Sequence, residues 1–188
     1  DAAAGLGELQ RLIGLPAPPA LIEGFDISSL FGTWTVAGMV AAVNGLPDRR
    51  LYRRFRIRGV AGADDPRSIA EAVGRRYARL REEGKPLPGL ILIDGGVTQL
   101  RAARERLAAL GLASVPAVGL AKRQEEIVLD DGRPPLLLPR DSAALLVLTR
   151  LRDEAHRFAI DYHRRLRQRL VRESALDEIA GIGPVRKA

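Results

Sequence analysis

Hydrophobic and polar positions change period several times along the chain, and each change predicts an element. Residues 6–14 carry apolar side chains at helical spacing, and Pro16 to Pro19 then form a stiff joint. From Leu21 the period drops to two, predicting strands over Leu21–Ile27, Thr35–Val43 and Leu51–Arg58. Asn44-Gly45, between the second and third, suits a tight hairpin turn whose central residues need positive φ. In the third strand Tyr52, Arg54, Arg56 and Arg58 alternate with Leu51, Phe55 and Ile57, so one face is largely cationic and the other mostly apolar.

Asp65-Pro66 predicts a helix start, Asp at the N-cap and Pro at the first helical position, with the helix running to about Glu83. Gly89–Ile93 reads as a fully buried strand ending in Asp94-Gly95-Gly96. A helix over about 97–110 and a buried strand over Val115–Leu120 follow. Residues 126–138 fit a small hairpin turning at Asp131-Gly132. Asp141-Ser142 starts a long helix to about Arg172, whose stripe Leu148, Leu151, Ala155, Phe158, Tyr162, Leu166 keeps helical spacing. The order β-β-β-α-β-α-β-α predicts an α/β fold: a mixed five-stranded sheet flanked by helices, the ribonuclease-H-like arrangement. The expected organisation is a helix and linker over 1–20, this domain over 21–172 and an appendage over 173–188.

That topology lays the first and fourth strands side by side, which changes the reading of two carboxylates. Asp26 lies near the end of an apolar strand, where an unpaired charge costs several kcal/mol; an ion pair with an arginine is the competing reading. Asp94 precedes two glycines and serves equally well as a helix cap. Taken together, two carboxylates converge at adjacent strand ends, and like charges that close call for a divalent cation. Hard oxygen ligands point to Mg²⁺ or Mn²⁺. Glu23 shares the first strand but faces the opposite side. Of the two histidines, His156 is the candidate because it sits nearer the start of the long helix. His163 lies seven residues on, about 10 Å along the axis, and helical periodicity does not separate them.

Charge narrows the class of partner. The 188 residues carry a formal charge of +7, and residues 150–172 hold eight arginines against three acidic residues. A solvated face is the plain reading of a charge run, but such an excess on the helix that carries His156 favours phosphate binding. Aromatics at 4% argue against a grip on single strands by stacking. The absence of cysteine excludes disulfides and cysteine-bound zinc and is compatible with the cytoplasm. No apolar run reaches bilayer-spanning length. Starting at Asp1 rather than Met, the chain reads as an excerpt of a longer protein.

Several stretches occur in an ordered set: Gly24-Phe25-Asp26-Ile27-Ser28, Tyr52-Arg53-Arg54-Phe55, Asp64-Asp65, Leu92-Ile93-Asp94-Gly95-Gly96, Gly119-Leu120-Ala121-Lys122-Arg123 and Arg152-Asp153-Glu154-Ala155-His156-Arg157-Phe158-Ala159. In this the chain resembles the C-terminal half of the UvrC family, a component of the bacterial excinuclease. The resemblance implies a ribonuclease-H-like endonuclease with an Asp-Asp-His catalytic and metal-binding set, falling here on Asp26, Asp94 and His156. Asp65 matches a further acidic position, one that its N-cap role explains equally well. Residues 174–188 resemble the start of the family's helix-hairpin-helix region. The chain departs from the family pattern at Ser29, Phe31, Trp34 and Val97. The last replaces a lysine and removes a phosphate contact beside the metal.

The activity so implied is a metal-dependent incision on the 5′ side of a lesion in double-stranded DNA. Lys122, Arg123, Arg152, Arg157 and Gln99 are expected against the DNA. The expected protein partner is the helicase-like damage-recognition subunit of the excinuclease, and the expected state is a monomer. The rival reading is a ribonuclease-H-like module that binds DNA without cutting it. A nucleotide-binding reading of Asp94-Gly95-Gly96 fails because the glycine spacings of phosphate loops are missing.

Overall fold

Alternation along the first strand organises the molecule: Ile22, Gly24 and Asp26 point to one side of the sheet, Glu23 and Phe25 to the other. The computed structural model describes residues 1–30, 34–60 and 62–179. Strand β1 (Leu21–Leu30) pairs antiparallel with β2 (Trp34–Val43) along its whole length. Asn44 and Gly45 then turn the chain at φ 52° and 83°, the mirror-image turn whose twist matches a hairpin.

The chain first adds a two-residue strand, β3 (Leu46–Pro47), and a 3-10 turn over Arg49–Leu51; the strand expected over Leu51–Arg58 is shorter, β4 (Arg53–Arg56), and both strands lie on the same edge of β2. Asp48 separates the two: its carboxylate accepts the Arg50 amide at 3.1 Å and caps the turn, which lifts the chain off the ladder until Arg53 rejoins it opposite Met39. Beyond β1 the sheet continues through β5 (Leu90–Asp94), β6 (Ala117–Leu120) and the two-residue β7 (Ile127–Val128). The β1–β5 and β5–β6 pairs are parallel. The hairpin expected over 126–138 shrinks to one bridge, Ile127 to Leu136. With β3 and β4 counted as one interrupted strand, the spatial order is third, second, first, fourth, fifth. This is a ribonuclease-H-like sheet with β7 added at its edge.

Each face of the sheet has its own core. Helices α2 (Asp65–Glu82) and α3 (Val97–Ala109) cover one, burying Ile69, Tyr77, Leu100 and Leu107 against Phe25 and Ile93. Helices α1 (Ala2–Ile13) and α4 (Ala143–Glu178) cover the other, burying Leu9, Leu148 and Leu151 against Ile22, Val40 and Leu92. Each such side chain contributes about 1.5–3 kcal/mol. Helix α1 builds this core with Leu6 and Leu9, while Glu8 accepts hydrogen bonds from the Ser142 hydroxyl at 2.9 Å and the Ala144 amide at 3.1 Å. It thereby closes the start of α4. Instead of ending near Arg172, α4 runs unbroken to Glu178. Phe31 and the hairpin glycines Gly181 and Gly183 lie outside the described residues. Among those described, no helix is long and apolar enough to cross a membrane.

Candidate metal centre

The parallel register of β1 on β5 sets Phe25 beside Ile93, so the next residues, Asp26 and Asp94, come side by side; Asp94 ends β5, whereas Asp26 lies midway along β1, which runs on to Leu30 rather than stopping just beyond the carboxylate. Both point toward α4. Opposite Asp26 on β2 stands Gly38, where a Cβ atom would come within 3.2 Å of Ala159 and Phe158 of α4. The missing side chain lets the helix lie close enough for His156 Nδ1 to reach Asp26 Oδ2 at 2.9 Å. A carboxylate can only accept, so Nδ1 carries the proton and Nε2 is left as an acceptor. Ligand atoms of Asp26, Asp94 and His156 all lie within 4.8 Å of one another.

Electrostatically this cluster is unfinished. Asp94 Oδ1 is buried and has no hydrogen-bond partner. Burial above all, and then Asp26 beside it, push the Asp94 carboxyl up to about 6, against the pull of Lys122 and Arg152. An orphaned carboxylate oxygen, a second carboxylate and an imidazole make a donor set that fits a hard divalent cation.

Two other acids have different fates. Glu23 faces the far side, 1% exposed, and takes hydrogen bonds from Arg76 at 2.8 Å and the Tyr77 hydroxyl at 2.8 Å. Burial and the Glu23 charge push the Tyr77 phenol well above its ordinary value. Asp65 is not the N-cap of α2, as the Asp-Pro signal suggested. Asp64 holds that place, accepting the Arg67 amide at 3.1 Å, because a cap one residue earlier leaves Pro66 still within the first turn, where its missing N–H costs nothing. Asp65 is thus released from capping and lines a cleft of about 270 Å³ with Asp26, Asp94, Gln99 and Lys122.

A family model described as "UvrC RNAse H endonuclease domain" matches residues 10–160. This chain belongs to the UvrC family. It is 48% identical over 187 residues to the UvrABC system protein C of Dehalococcoides mccartyi strain BAV1, covering 97% of this chain and 31% of the relative. The Moorella thermoacetica protein of the same description is 44% identical, with 98% and 30% covered. The chain therefore spans about a third of the length of these UvrC relatives. Among solved structures, Ciona intestinalis endonuclease V in complex with an inosine-containing DNA shares 17% identity at a TM-score of 0.43, over 68% of this chain and 60% of that one.

In this UvrC-family chain the surrounding polar residues divide into those at the cluster and those away from it. Lys122 borders both Asp94 and the 270 Å³ cleft. Gln99 lines that cleft, with its carbonyl engaged by the Gly96 amide at 3.1 Å. Arg152 lies beside Asp94 and His156, and its guanidinium is held by Glu125 at 3.0 Å and Asp153 at 3.1 Å. Arg123 and Arg157 are exposed and line neither cleft; Arg157 pairs with Glu154. His163 stands apart from the cluster. Its Nε2 donates to the Trp34 carbonyl at 3.0 Å, so its Nδ1 accepts the Ser28 hydroxyl at 2.8 Å. Sequence reasoning missed Glu125, which reaches Arg152 from a loop where Gln124 and Glu125 both take positive φ, 61° and 52°. Nothing in its residue types announces that conformation. Asp65 had a signal in the doubled Asp64-Asp65, either of which can cap a helix.

Proposed function

We propose that this chain is the nicking half of an excinuclease subunit, hydrolysing one phosphodiester of double-stranded DNA on the 5′ side of a lesion. The observation that carries the reading is the unpartnered Asp94 oxygen inside the Asp26–Asp94–His156 group, a donor set that suits a hard divalent cation. Asp26, Asp94 and His156 would hold Mg²⁺ or Mn²⁺ and act as the catalytic set. When bound, the ion supplies Lewis-acid polarisation of the phosphoryl oxygen and lowers the pKa of an attacking water. Asp26 orients the His156 ring through Nδ1 and leaves Nε2 to ligate or to take a proton. Lys122 and Arg152 present positive charge where the scissile phosphate arrives, while Arg123, Arg157 and Gln99 contact the backbone on either side. Asp65 faces the same cleft and completes its acidic rim.

The 5′ side, the lesion context and the helicase-like partner are part of this proposal, supported by the likeness to UvrC proteins, of which this chain spans about a third. Residues 173–188 are taken, within the same proposal, as the start of a helix-hairpin-helix appended to the 21–172 domain, on the resemblance of their sequence. Nothing in the site favours binding without cutting. The chain works in the cytoplasm as a monomer within the excinuclease assembly. A nicking assay on lesion-bearing duplex with Mg²⁺ or Mn²⁺ tests the reading, with Asp26→Ala as the partner variant. Cleavage should need the cation and vanish in the variant; equal cutting by both would reject it.

A further inference from the structure

Many surface arginines of this fold have an acid beside them. Arg50 pairs with Asp48, Arg79 with Glu83, Arg101 with Asp130, Arg152 with Glu125 and Arg157 with Glu154. Two exposed arginines of β4 differ. The Arg54 guanidinium lies 4.5 Å over the Phe158 ring and 5.3 Å from that of Tyr162, and Arg56 lies 4.2 Å over Trp34. Neither makes an ion pair among the described residues. A ring face fixes the direction of a guanidinium without neutralising it, so both cations stay available to an anion in a set orientation.

Their position relative to the metal centre follows from the register. Asp26, Gly38 and Arg54 form one cross-strand row, and Ser28, Val36 and Arg56 form the next row on the same face. Arg54 therefore starts two strand spacings, roughly 10 Å, from Asp26. That is about three nucleotide steps at ~3.4 Å of rise each. Because the aromatic faces are already occupied by arginine, they are not free to stack bases, which favours a duplex backbone over a single strand.

We propose that Arg54 and Arg56, splinted by Phe158, Tyr162 and Trp34, form a phosphate track that grips the duplex backbone where it leaves the metal centre across β2 and β4. The track rests on the nuclease reading for its substrate class, but it is tested without cleavage. Duplex binding is followed by fluorescence anisotropy in EDTA across a salt series. The proteins are the wild type, Arg54→Gln/Arg56→Gln, Arg54→Lys/Arg56→Lys and the remote Arg79→Gln. Each lost phosphate contact lowers the slope of log affinity against log salt by about 0.9. The glutamine pair should therefore shrink the affinity drop between 50 and 200 mM salt by about 12-fold. The lysine pair should keep the wild-type slope with weaker binding throughout, and Arg79→Gln should leave the slope unaltered. An unchanged slope in a folded glutamine pair, or the same fall in Arg79→Gln, overturns the track. If the glutamine pair does not fold, Arg56→Gln alone decides, with about half the effect on the slope. Loss of slope in the pair together with a wild type that never nicks would sink the nuclease reading and leave the track standing.

Discussion

Replacing Asp94 by asparagine should make the metal-free protein more stable while destroying its response to metal. The Asp94 carboxyl is held near 6 by burial and by Asp26. Against an ordinary value of about 3.9, a unit of pKa being ~1.4 kcal/mol, ionising it at pH 7.5 costs the folded state up to ~3 kcal/mol. The side chain is only partly buried, so solvent screening reduces this to about 1–1.5 kcal/mol. The sign follows from linkage: a carboxyl raised on folding favours the native state at low pH, and that contribution is lost as pH rises through 6. Asparagine removes the charge, keeps the shape and can donate to Asp26. In EDTA at pH 7.5 the melting temperature of Asp94→Asn should rise by about 3–5 °C, and at pH 5 the gap should narrow. With Mn²⁺ at 100 times its dissociation constant, wild type should gain about 2.7 kcal/mol and overtake the variant. Calorimetry with and without the ion reads both effects. A variant less stable than wild type in EDTA, or equally stabilised by Mn²⁺, would refute the reasoning.

Three further outcomes are expected. Because a protonated Asp94 cannot ligate, Mn²⁺ affinity measured by titration calorimetry should fall about tenfold from its plateau by pH 5, centred near 6; a flat profile would place the ion elsewhere. Glu23→Ala strands Arg76 in the core beneath β1 and should cost about 3–5 kcal/mol by urea denaturation. Glu125→Gln frees Arg152 from one of its two acids and should raise duplex affinity at low salt several-fold, with a steeper salt dependence in the same anisotropy assay.

The pairing of the two aspartates was legible because it depends only on topology. Once a parallel crossover follows three antiparallel strands, β1 and β5 are neighbours, and the register that sets Phe25 beside Ile93 brings the residues after them together. The short β3 and the turn after it were not legible: residues 46–50 read as connection ahead of the third strand, whereas Leu46 and Pro47 already pair with β2 and Asp48 bonds the Arg50 amide. The cap of α2 was misplaced by one residue because two aspartates precede the proline and both have the right oxygen. Choosing between the histidines lay beyond periodicity as well. Both face β1, and only the height of α4 on the sheet, set by close approach at Gly38, brings His156 to Asp26 and His163 to Ser28.

The contact between Glu8 and the start of α4 has a practical consequence for anyone producing this domain. Homology boundaries at 10 and 160 fall inside α1 and inside α4. A fragment trimmed to them would lose Leu6 and Leu9 from one core and the carboxylate that seals the amino end of the helix bearing His156. The packed elements reach beyond the stretch that the family model matches, and expression limits should include all of α1 and α4.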